Sequence, residues 1–90
     1  MAIPFTNAVV RKLAGTHDIV LQANSAEYTK SDHAVGVILF APLTPQHGGP
    51  VHSKLPLYNV TGTQGDQPIQ IQNVRYVGQT PDGNATFTTE

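Results

Sequence analysis

The chain has 90 residues, none of them cysteine or tryptophan. Without thiols there are no disulfides, thiolate nucleophiles, zinc–thiolate sites or iron–sulfur sites. Small secreted domains commonly rely on disulfides, so this absence favours a reducing compartment or a fold stabilised by assembly. Without an indole, the strongest aromatic platform for a sugar ring is gone. Charge is scarce as well. Only 12% of residues are Asp, Glu, Lys or Arg, five basic against six acidic, where about a quarter is usual. A near-neutral surface gives little mutual repulsion and tolerates self-association. It also offers no groove for a nucleic-acid backbone, because Arg11-Lys12 is the only basic pair and Lys30, Lys54 and Arg75 are isolated. Tyr28, Tyr58 and Tyr76 therefore read as core and interface residues rather than base-stacking ones. No apolar run is long enough for a membrane-spanning helix. The start, Met1-Ala-Ile-Pro-Phe5, shows no basic segment followed by an apolar one, so no signal peptide is read. Neither a nucleic acid nor a membrane is expected as a partner.

The outstanding positive feature is Ala34-Val-Gly-Val-Ile-Leu-Phe-Ala41, a β-branched apolar run ending at Pro42. As a strand it is apolar on both faces, with Val35, Val37 and Leu39 on one and Ala34, Gly36, Ile38 and Phe40 on the other. Burying both requires a closed or layered sheet, or a partner subunit. Asp18–Ala23 is a second strand. Pro68–Gly78 is a third, whose apolar parity changes between Ile69/Ile71 and Val74/Tyr76; a β-bulge at Gln72-Asn73 accounts for the slip. Pro81-Asp82-Gly83 is a turn signal, after which residues 85–89 fold back with Phe87 inward. Leu55–Val60 is a short strand or edge segment. Residues 6–14 fit either a helix or a strand, and pairing with the Asp18–Ala23 strand favours a hairpin. Residues 1–6 read as an arm. Residues 42–54, with three prolines and two glycines, read as a long loop. The expected fold is all-β, one domain over residues 1–90, a small antiparallel barrel or compressed sandwich of five or six strands. Its core is expected from Ile19, Leu21, Val35, Val37, Leu39, Ile69, Ile71, Val74, Tyr76 and Phe87. The rival is an α+β domain with residues 6–14 helical.

The chemistry-bearing residues do not converge. His47 and His52 bracket Gly48-Gly-Pro50 at a spacing that sometimes brings two imidazoles onto one metal, but no third ligand lies nearby in sequence and His33 or Asp32 would have to be supplied by folding. The carboxylates sit beside turns or in a polar connection, without the opposed pair that glycoside hydrolysis needs. Ser31, Asp32 and His33 are adjacent, and neighbours in an extended segment point apart, so they form no relay. Gly48-Gly49 lacks the Lys-Ser/Thr ending of a phosphate loop. The expectation is a non-enzymatic protein with no metal and no cofactor.

A small cysteine-free β protein with a short arm, low charge and a long Pro/Gly loop resembles the accessory proteins of tailed-phage particles: head decoration or cement proteins and small tail components. The likeness covers the general build of the whole chain and rests on no motif. It implies a structural protein, often trimeric, that binds to or between copies of other virion proteins without a cofactor. Its place would be the virion, assembled in the host cytoplasm. Residues expected to touch another chain are Ile3 and Phe5 of the arm, Ile38 and Phe40 of the central strand, and His47, Val51 and Leu55 in or near the loop. The alternative is a small binding module for a glycan or protein ligand, with Gln64–Gln72 and Tyr76 as the surface to inspect.

Overall fold

Every segment rich in Val, Ile and Thr finds an antiparallel neighbour. The computed structural model describes residues 2–46 and 48–90, with residues 41–43 described by their backbone alone. Its strands are β1 (Ala2–Lys12), β2 (Ile19–Lys30), β3 (Val35–Pro45), β4 (Tyr58–Gln64), β5 (Gln67–Gln79) and β6 (Ala85–Thr88). They close into a barrel in the order β1-β2-β3-β6-β5-β4, with β4 returning to β1. Two up-and-down runs, β1-β2-β3 and β4-β5-β6, are thus joined by residues 46–57. That connection carries the chain from beside β6 to beside β1, in the manner of a Greek key. The all-β expectation holds in its barrel form.

The inward face is narrow and filled by side chains, as a barrel of so few strands requires. Phe5, Tyr58 and Phe87 supply bulk, while Ala8, Ala23, Ala26 and Ala85 are the small residues that let them fit. Opposed pairs make the fit concrete: Phe5 lies across from Ala26, Ala26 from Leu39, and Leu39 from Ala85. Tyr58 meets Phe87 edge-on, with ring centroids 6.1 Å apart, and Tyr76 meets Phe87 at 5.2 Å. Of the expected core, Leu21, Val37, Leu39, Ile71, Val74 and Phe87 are buried, and Val35, Ile69 and Tyr76 pack against them half-buried. Ile19 is not part of this core. The register shifts between Val10 and Arg11, so that Val20 is an extra residue in β2, and Val20 and Leu21 both turn inward.

Similar slips keep the apolar residues inside elsewhere. Asn73 adopts φ 60°, and the β4–β5 register shifts there, between Tyr58↔Val74 and Val60↔Ile71. This is the bulge expected at Gln72-Asn73. Its Asn73 N–H donates to Asn59 Oδ1 at 3.1 Å. Asn7, at φ 56°, does the same for β1, carrying the inward set from Phe5 to Ala8 and Val10.

Two expectations are corrected. Residues 2–6 are not an arm, because Ala2 to Thr6 pair continuously with Thr29 to Ser25 of β2. The alternatives for residues 6–14 resolve to the favoured hairpin, since β1 runs to Lys12 and pairs with β2. The expected loop 42–54 begins later, as β3 continues through Pro42 to Pro45. The physical reason is local: β6 pairs with β3 only from Gly36 to Leu39. Beyond Leu39, β3 has a strand on one side only among the described residues, and an edge position tolerates proline.

Candidate interaction surfaces

One end of the barrel is closed by the connection 46–57. Gln46 N–H donates to Val20 O at 3.0 Å, and Leu13 N–H donates to Leu57 O at 2.9 Å, tying both ends of the connection to the barrel wall. In between, Val51 N–H donates to the Tyr58 hydroxyl at 2.9 Å. The Tyr58 ring fills the core while its hydroxyl reaches the connection, the usual use of a tyrosine with one dry and one wet end. His52 forms an isolated bridge with Tyr76, their rings 5.0 Å apart. Burial pushes the Tyr76 hydroxyl pKa above its ordinary value, because the charged form would be poorly solvated.

Tyr58, Tyr76 and Phe87 already occupy this end of the core, so the aliphatic residues of the connection face outward. Val51 is 56% exposed, Leu55 64% and Leu57 36%. Val51 and Leu57 line a cleft of about 220 Å³ with Lys12, Leu13, Ala14 and Tyr58. Val51 and Leu57 thus form a small apolar patch on an anchored segment, with Leu55 exposed two residues before Leu57, and this is the form an association surface takes.

The other end carries no comparable cover among the described residues. Tyr28, Val35, Ile69 and Ile71 line a slot of about 340 Å³ there, rimmed by Lys30, Gln70, Gln72 and Thr89. On the outer wall, a groove of about 520 Å³ runs past Pro4, Thr6, Ser25, Glu27 and Phe40.

The expected contact residues separate on this frame. Val51 and Leu55 are exposed on the patch. Ile38 and Phe40 lie on the outward face of β3, half-buried, while Val37 and Leu39 point in. Ile3 is half-buried in β1 opposite Tyr28. Phe5 is a correction: at 2% exposure it belongs to the core, seated over Gly62, and is not available to another chain. His47 lies outside the described residues, and with it the expectation of a His47–His52 pair. Among the described residues, no three His, Asp or Glu side chains gather where a metal could bind. Ser31 is occupied by its turn, accepting from Ala34 N–H at 3.2 Å and donating to Ala34 O at 3.0 Å. Sequence reasoning missed Leu13 and Leu57 on the patch and Tyr28 on the slot. Leu55–Val60 looked like a strand or edge segment, which concealed that Leu57 faces water as Leu55 does.

No protein-family model, no curated protein and no solved structure matches this chain.

Proposed function

We propose that the chain is a non-enzymatic structural protein that assembles with copies of itself and with larger particle proteins, stabilising or completing a phage virion. The observation that carries this reading is the patch of Val51, Leu55 and Leu57 on a connection pinned at Gln46, Val51 and Leu57. A held apolar surface loses little conformational freedom when it docks, so its burial goes largely into affinity. The low surface charge supports the same reading, since little repulsion opposes close packing of copies. A trimer in the virion is the proposed form.

The slot at the uncovered end favours a second reading, a small module that binds a glycan or a protein ligand. A single set of measurements separates the two. Sedimentation velocity at low micromolar concentration should show a species heavier than one chain, and Leu55→Glu should return it to the monomer. Co-sedimentation with assembled particles should retain the wild type and lose the variant. A wild-type monomer that ignores particles but is held on a glycan array would reject the structural role in favour of the binding module.

A further inference from the structure

The groove on the outer wall and the turn in the connection carry complementary features. The register places Thr6 opposite Ser25 and Ser25 opposite Phe40; in the next outward row Pro4 lies opposite Glu27 and Glu27 opposite Ile38. The groove of about 520 Å³ opens beside these rows, with Thr63, Gln64 and Gly65 on its β4 side. The β1–β4 ladder slips between Thr6 and Val9, and the β2–β3 ladder between Ala23 and Ser25, so β1 and β3 each carry an extra residue at that level. Bulged strands bend and re-aim their side chains. The hydroxyls of Thr6 and Thr63 lie 3.2 Å apart and satisfy each other. Glu27 differs. It is half-buried and is the one charged residue among the described residues lining the groove. Among those residues no hydrogen bond or ion pair reaches its carboxylate. A carboxylate set among Pro4, Ile38 and Phe40 is best met by a cation carried on an apolar body.

The connection offers such a body. Between Gln46 and Leu57, Lys54 is the only Lys, Arg, Asp or Glu. Leu55 N–H donates to Ser53 Oγ at 3.0 Å, a local turn of the kind serine forms, and Pro56 follows it. Lys54 and Leu55 are both exposed on this turn. They cannot reach the groove of their own chain. The connection is tied down at Leu13 and Tyr58, whereas the groove borders Thr63 and Gln64. From Tyr58 to Gln64, β4 runs about 20 Å. We propose that the groove takes the Ser53–Pro56 turn of a second copy of this chain, with Leu55 against Phe40 and Pro4 and with Lys54 paired to Glu27. The inference deepens the assembly reading and rests on it for the existence of an oligomer. Different surfaces of two copies meet, so each copy gives one turn and receives another. Head-to-tail contacts of this kind close into a ring when the rotation per step permits, and a trimer is such a ring. Ile38 and Phe40 then stand on one side of a single contact, and Val51 and Leu55 on the other.

The test is sedimentation velocity of the full chain over a dilution series from low micromolar concentration. Glu27→Lys sets like charges across the contact and should raise the dissociation constant of the oligomer by about tenfold or more. Lys54→Glu should do the same. The two together on one chain should recover most of the loss, because the pair is then reversed rather than broken. Glu27→Gln keeps the shape of the wall and removes the charge; it should give a smaller loss and a weaker dependence on salt than the wild type, and it serves where the reversal disturbs folding. A covalent test uses the absence of cysteine. Glu27→Cys and Lys54→Cys on one chain should oxidise to a ladder of two, three or more copies, and neither substitution alone should. The inference is overturned by an oligomer indifferent to Glu27→Lys, or by no recovery in the double reversal. It is also overturned by Lys54→Cys alone cross-linking as well as the pair, which marks a face-to-face contact between connections. In each of these outcomes the wild type still sediments above one chain, so the assembly reading stands; a monomeric wild type rejects both.

Discussion

Gly62 faces into the barrel, and Phe5 is packed on the space its missing side chain leaves. A Cβ built there would stand 2.5 Å from Phe5 Cδ2 and 2.8 Å from Thr6 O. The ring can shift, but the backbone carbonyl is held in the β1–β4 ladder. Gly62→Ala should therefore destabilise by about 1–3 kcal/mol, read as a lower urea midpoint at unchanged slope. Phe5→Leu in the same chain should recover part of the loss, because it relieves the ring clash and leaves the carbonyl contact. Tyr76 gives a second prediction at this scale. Its pKa is raised by burial. The stability it contributes is fully present below the unfolded value of about 10 and is lost as pH rises through the folded value. Thermal melts of wild type and Tyr76→Phe should run parallel below about pH 9 and diverge above about pH 10, the variant declining less. Curves that stay parallel would show that the hydroxyl is not desolvated. Residue-level legibility was uneven for a physical reason. The bulge at Asn73 could be read because polar Gln72 and Asn73 interrupt a clear alternation. The slips at Asn7 and Val20 could not, because Val9-Val10 and Ile19-Val20-Leu21 are apolar at every position and satisfy either parity. The buried alanines carry too little apolar surface to mark a face.

Among the elements, the connection 46–57 depends on few contacts, and Tyr58 links it to the core. Tyr58→Phe keeps the ring and removes the acceptor of the Val51 N–H. The expected cost is about 1 kcal/mol in global stability, with a larger local effect. Thermolysin should cleave before Val51 or Leu57 faster in the variant than in the wild type, under conditions where both remain folded. Equal cleavage would mean that the end ties at Gln46 and Leu57 suffice. The elements themselves were largely legible, since the alternation in β2, β3 and β5 places them correctly. Their ends were not. Pro42 reads as a stop only if β3 has neighbours on both sides, and that depends on how far β6 reaches. The N-terminal residues read as an arm because Pro4 and Thr6 dilute the apolar pattern, and their pairing with β2 is a tertiary matter.

For the whole molecule, the prediction concerns the separation of folding from assembly. The patch residues lie outside the core, so the double substitution Val51→Glu and Leu55→Glu should leave the melting temperature near that of wild type. Surface changes of this kind are usually within about 0.5 kcal/mol. The same protein should sediment as a monomer. A fall in both properties together would mean that the connection is part of the folding unit. The all-β class was legible from the alternation in separate segments, whereas Ala34–Ala41, apolar on both faces, fitted a closed sheet, a layered sheet or a partner subunit alike. Inside the barrel that strand buries Val37 and Leu39, while Ile38 and Phe40 remain half-covered on the wall. The pairing order was not legible, since β1 with β4 and β3 with β6 are distant partners chosen by closure rather than by local pattern.

The brevity of β6 also bears on how the chain acquires its shape. The strand that joins the halves on the β3 side is the last of the six, and it carries Phe87, the largest of the side chains that are wholly buried. Until it docks, β3 and β5 remain open edges and the interior lacks its central ring. Loop closure and core filling are then a single late event, which concentrates the folding barrier in pairings between distant segments. A chain whose residues 85–88 have not docked is an open, sticky sheet.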